Sequence, residues 1–136
     1  MTSLVVTKEI EDEIDLLDAT QPDLVDAAEL LLESLYENLD LLERLHVPNT
    51  HPLHTPVFEV KQFAEALELG YNIYILKFQN LNGYLTDHRI LLGFNAQRDI
   101  YYALAITDRD YSYDTSHASF GSLVTRYEQY RIPKVA

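Results

Sequence analysis

Cysteine is absent from this 136-residue chain, which excludes disulfides, thiolate nucleophiles and zinc ribbons. Cations are scarce: 10 Lys or Arg stand against 22 Asp or Glu, a net charge of −12. Phosphate neutralisation supplies most nonspecific affinity for nucleic acid, so any role with DNA or RNA must rest on a local patch. No apolar run approaches membrane-spanning length, and MTSLVV passes at once into KEIEDEID, unlike a signal peptide. Internal repeats and low-complexity segments are also missing. These absences predict a single cytoplasmic domain over residues 1–136, away from membranes, with 47% hydrophobic residues to build its core.

The charge is unevenly spread. Residues 1–70 hold 3 Lys or Arg and 16 Asp or Glu, net −13, whereas residues 71–136 hold 7 basic and 6 acidic residues, net +1. A solvated helical face explains this most simply. The functional alternatives are a docking surface for a basic partner and a surface that mimics nucleic acid.

The most patterned stretch is Tyr71 to Thr107, where YNIYILKFQ, YLTDHRILLGF and IYYALAIT are separated by NLNG and NAQRD. Three runs rich in Tyr, Ile, Leu and Phe with short polar breaks predict an antiparallel meander. In the third run Ile100, Tyr102, Leu104 and Ile106 suit a core face, leaving Tyr101, Ala103, Ala105 and Thr107 on an open one. If Phe94 pairs with Ile100 across a five-residue loop, Arg89 lies opposite Ala105, and strand parity brings Arg109 to the same open face. Lys77 joins them only if the first hairpin loop has an odd number of residues.

Around the meander, Ser3 to Thr7 predicts a further strand and a helix follows Thr7. Thr20, Pro22 and Asp23 signal a second helix, about Pro22 to Leu45, with leucines at three- and four-residue spacing and carboxylates opposite. His46 to Phe58 holds three prolines and three histidines and reads as a connector. His46, His51 and His54 do not make a metal site, because no carboxylate joins them locally and the first gap is wide. Glu59 to Leu69 is a short helix or an irregular lead-in ending at Gly70, Asp108 to Asp114 a loop, and Ser116 to Tyr130 a terminal helix with Arg126 on the surface. The fold expected is α+β: an N-terminal strand and helical hairpin packed on one face of an antiparallel meander, with a C-terminal helix.

Arg89, Arg109, Tyr111, Tyr113 and His117 then sit on or beyond the open face, with Tyr101 on it. Arginines clamp a phosphate and stabilise a dianionic transition state, and a histidine or tyrosine transfers protons. Nine of the ten tyrosines fall at or after Tyr71, which suits base stacking and β structure equally. The plain alternatives are an Asp87–Arg89 ion pair and a solvated Asp108–Asp110 turn.

GYNIYILKF leading to the hairpin, DHRILLGF with Arg89, and YYALAITDRDYSYD with Arg109 followed by tyrosines, in the order strand, helical hairpin, meander, terminal segment, resemble the RelE/ParE superfamily of toxins from type II toxin–antitoxin systems. The resemblance implies a small mRNA endonuclease, free or ribosome-dependent, that needs no metal or cofactor and is neutralised by a protein antitoxin. It matches Arg89 and Arg109 to the phosphate-contacting arginines, Lys77 to the strand lysine, and Tyr113 or His117 to the aromatic or imidazole group near the C-terminus, which makes Arg89, Arg109, Tyr113 and His117 the catalytic candidates and Lys77, Tyr101 and Tyr111 the substrate contacts. The acidic charge departs from ribosome-acting members. It leaves open a gyrase-targeting ParE-like toxin, or a non-enzymatic antitoxin or immunity-type protein that binds a basic partner.

Overall fold

The structure, a computed structural model, describes residues 2–37, 58–79, 84–112 and 115–135. It is α+β. The strands β1 (Ser3–Val6), β2 (Phe58–Gln62), β3 (Ile73–Gln79), β4 (Leu85–Asn95) and β5 (Ile100–Asp108) form one sheet in the order β1-β5-β4-β3-β2. The meander is antiparallel throughout, and β1 joins its edge parallel to β5. A parallel neighbour needs a crossover, and α1 (Lys8–Asp18) and α2 (Pro22–Glu37) make the first part of it. The remainder of the expected second helix, residues 38–45, lies outside the described residues.

Local chemistry sets the helix starts. The Thr7 hydroxyl accepts from the Ile10 N–H at 3.4 Å and donates to the Ala103 carbonyl at 2.7 Å, so one side chain caps α1 and fixes it to β5. Pro22 occupies the first position of α2, where a missing N–H is harmless. Thr20, expected to cap α2, turns back instead and donates to Leu17 at the end of α1.

The lead-in before Gly70 is a strand and a helix in succession. β2 adds a fifth strand to the far edge of β3, then α3 (Ala64–Glu68) follows. Gly70, at φ +96°, ends α3: its N–H bonds to Leu67 and that of Tyr71 to Ala66, the paired bonds of a Schellman motif.

Both faces of the sheet are covered. The hairpin buries Ile10, Ile14, Leu24, Val25, Ala28, Leu32 and Leu35 against Leu76, Ile90, Leu92, Phe94, Tyr101 and Ala103. On the other face α3, the C-terminal helix α5 (Ala118–Gln129) and the tail bury Phe63, Ala66, Leu123, Tyr127 and Ile132 against Ile73, Ile75, Leu91, Tyr102 and Leu104. The face expected to stay open is therefore roofed over much of its length. At about 25 cal/mol per Å² of apolar surface, covering a second face is a large gain for a sheet whose side chains are apolar on both sides.

Polar contacts fasten α5 to α1. Arg126, expected on the surface, is half-buried: its Nη1 donates to Glu13 Oε1 and to the Leu104 carbonyl, both at 2.8 Å. Glu13 also accepts the Ile106 N–H at 3.3 Å. β1 pairs with β5 only as far as Ala103, so this ion pair occupies the edge of β5 where β1 has ended. One turn earlier on α1, Glu9 accepts from the Tyr130 hydroxyl at 2.6 Å and from Gln129 at 2.9 Å.

Candidate functional site at the bulged end of the sheet

Two register shifts decide which side chains meet. The loop between β4 and β5 is one residue shorter than expected, with Asn95 opposite Ile100 and Phe94 opposite Tyr101. Since strand side chains alternate, a shift of one exchanges the faces. Tyr101 consequently points under the hairpin, stacked on Phe94 with ring centroids 4.3 Å apart and edge-on to Tyr74 at 5.8 Å. It is wholly buried, and desolvation holds its phenol far above the usual range. As a substrate contact Tyr101 is corrected: it is a core residue.

A bulge between Leu91 and Leu92 then shifts the register by one residue more, accommodating Leu104, and so restores the expected faces beyond it. Beyond it Arg89 faces Thr107 rather than Ala105, and on its other side faces Lys77. Lys77, Arg89 and Thr107 form one row across three strands, on the face opposite the hairpin. This places Lys77 on Arg89's face, the point that loop length had left open.

The Arg89 side chain is shaped by another irregularity. Between Lys77 and Gln79 the pairing partners move from Arg89 to Leu85, so Thr86, Asp87 and His88 bulge from β4 opposite Phe78 alone. A bulge leaves carbonyls without ladder partners. Arg89 Nη1 donates to those of Thr86 at 2.9 Å and His88 at 3.0 Å, while the Thr86 hydroxyl donates to His88 at 3.1 Å. Arg89 is 4% exposed, and its Nε has no partner. It is thus a buried cation and a brace for the bulge, not a residue on an open surface. Asp87 does not neutralise it: the bulge turns Asp87 toward the start of α2, where it lines a hollow with Thr20 to Leu24 and Thr86.

Arg109 follows directly. β5 ends at Asp108, and Arg109 opens the short helix α4 (Arg109–Ser112), which lies against β4 and β5. Its side chain is 57% exposed, with only a 3.9 Å contact from Nε to the exposed Asp110 carboxylate. Such a pair is worth little in water. Tyr113 and the Tyr111 side chain lie outside the described residues.

His117 is held elsewhere. It is the N-cap of α5: Nδ1 accepts the Ser119 N–H at 3.1 Å, with the Ser119 hydroxyl 2.9 Å from the same nitrogen. A ring nitrogen engaged as a cap acceptor cannot take up a proton without losing the cap.

No group of three or more His, Asp or Glu among the described residues could hold a metal ion, and His46, His51 and His54 lie outside them. No described helix is long and apolar enough to cross a membrane. Sequence reasoning missed His88, buried with Nδ1 unpartnered beside Arg89. Its even position among Thr86, Ile90 and Leu92 was the available signal for burial. No family model, curated protein or solved structure matches the chain.

Proposed function

We infer that the chain is a toxin of the RelE/ParE kind that cleaves mRNA without a metal, by attack of the 2'-hydroxyl on the adjacent phosphodiester. The observation carrying this reading is the direct opposition of Lys77 and Arg89, with Arg89 buried and flanked in register by Lys77 and the uncharged Thr107, while Glu59 stands opposite Lys77 on β2. Like charges directly opposite on neighbouring strands destabilise a sheet, and a buried unpaired charge is more costly still. In so acidic a chain, a buried arginine with no carboxylate in register beside it favours an anion from outside.

In this reading Arg109 is the exposed guanidinium that meets the phosphate, while Lys77 and the braced Arg89 supply positive charge behind it. The 2'-oxygen forms a bond to phosphorus as the bond to the 5'-oxygen breaks. The 2'-proton leaves to a base and the departing 5'-oxygen takes up a proton, giving a 2',3'-cyclic phosphate and a 5'-hydroxyl. The resemblance alone assigns the proton-transfer role to Tyr113 or His117, of which His117 is engaged as the cap of α5. Its antitoxin would be a protein partner, and the cytoplasm the place of action.

Tightly controlled induction in a bacterial host, with growth followed and mRNA 5' ends mapped, tests the proposal. Growth arrest with new ends in the wild type and neither in Arg109→Ala supports it. Arrest without new ends points to gyrase or another target, and absence of arrest to a non-enzymatic binding protein.

A further inference from the structure

The groove between α1, α2 and the end of β1 has no part in that chemistry. It encloses about 320 Å³, with Val6, Ile14 and Leu32 at its base and Glu11, Asp15 and Glu29 around it. Ile14 and Leu32 are buried, Val6 is half-buried and the three acidic residues are exposed. The volume falls at the low end of ligand pockets, roughly 300–1,000 Å³, and suits a protruding side chain.

Charge then selects the occupant. Residues 8–37 carry eleven Asp or Glu and one Lys. Glu9 and Glu13 are engaged by α5, but Glu11, Asp15 and Glu29 have no basic partner among the described residues. The packing of α1 on α2 therefore collects like charges around an apolar base, with no cation among the described residues to offset their repulsion. A second copy, net −12, would bring more of the same charge. A cationic occupant relieves it.

We propose that this groove docks a basic protein segment, with one aliphatic or aromatic side chain seated on Val6, Ile14 and Leu32 and flanking Lys or Arg residues meeting Glu11, Asp15 and Glu29. Among the described strands β1 pairs only with β5, and its outer edge beside Val6 offers further backbone groups to such a segment. The surface lies on the hairpin side of the sheet and does not rest on the RNA-cleaving reading.

Isotope-labelled full-length protein, titrated with short synthetic peptides and followed by amide NMR, tests this. One peptide alternates Lys and Leu, one is Lys alone, and one alternates Glu and Leu. The Lys/Leu peptide is expected to bind tightest and to shift the amides of Val6, Ile14 and Leu32. Its affinity should fall about tenfold in a Glu11→Lys, Asp15→Lys, Glu29→Lys variant, yet change little in Asp18→Lys, Asp26→Lys, Glu33→Lys, which alters net charge equally outside the groove. Equal binding of the Lys-only peptide, equal weakening in both variants, or unmoved groove amides would each overturn the proposal.

Discussion

Lys77 and Arg89 stand directly opposite each other on β3 and β4, two like charges in a single cross-strand pair at the bulged end of the sheet. Arg89 is the more constrained, because one nitrogen ties down two carbonyls of the bulge. Arg109, at the start of the next element, is free of such duties. The two arginines, alike in sequence, therefore give different results when removed.

Arg89→Ala should lower stability by about 2 kcal/mol, since in a buried place the Thr86 carbonyl loses its side-chain donor and the His88 carbonyl one of two. Arg109→Ala should stay within about 0.5 kcal/mol of wild type, as expected of an exposed substitution. Urea unfolding of both variants decides this. Equal midpoints for the two would mean that the brace carries no weight.

Removing Tyr101 separates packing from binding in the same way. Tyr101→Ala deletes a fully buried ring stacked on Phe94 and should cost about 3–5 kcal/mol. Thermal unfolding checks it, and a variant that folds normally but loses only ligand affinity would contradict the buried position.

How far the sequence could be read follows from where register is decided. Three runs rich in Tyr, Ile, Leu and Phe and the polar breaks between them were enough for the meander, and the Thr7, Pro22 and Gly70 signals for most helix ends. Two features hid the rest. One is IYYALAI itself, apolar at every position, so that its period says nothing about which side faces the hairpin; the turn at Asp99, in positive φ, and the Leu104 bulge decide that together. The other is FEVKQ, whose neighbours FAEALEL are strong helix formers, so that a charged five-residue edge strand reads as part of a helix. The candidate site was half legible. Arg89 and Arg109 were identifiable as residues, but the bulge that buries Arg89 leaves no pattern in a single sequence.

The strap between α1 and α5 predicts a dependence on pH. The Tyr130 hydroxyl, followed by Glu9's own backbone N–H, the Gln129 amide and Arg126, holds the Glu9 carboxyl below its ordinary value against a smaller opposing effect of burial. A depressed carboxylate pKa stabilises the fold above the unfolded value of about 4.5, and that contribution disappears as pH falls through the folded value. Tyr130→Phe should lower stability at neutral pH and show less change than wild type between pH 6 and the acid range. Parallel stability curves for the two proteins would contradict the contact.

Glu13 and Arg126 should couple. Their ion pair is partly buried and shared with the backbone of β5, so single replacements Glu13→Gln and Arg126→Met are each expected to destabilise, with a double-mutant coupling of about 1 kcal/mol. Strictly additive effects would reduce the pair to a surface contact.

The most direct test of the proposed chemistry is the identity of the RNA termini that the protein produces in cells. RNA from induced wild type, Lys77→Ala and Arg109→Ala cultures is sequenced with separate capture of 5'-hydroxyl and 5'-phosphate ends and of 2',3'-cyclic phosphates. Attack by the 2'-hydroxyl predicts new 5'-hydroxyl ends matched to cyclic phosphates in the wild type, reduced in Lys77→Ala and absent in Arg109→Ala. New ends bearing 5'-phosphates, or cyclic phosphates undiminished in Arg109→Ala, would contradict it.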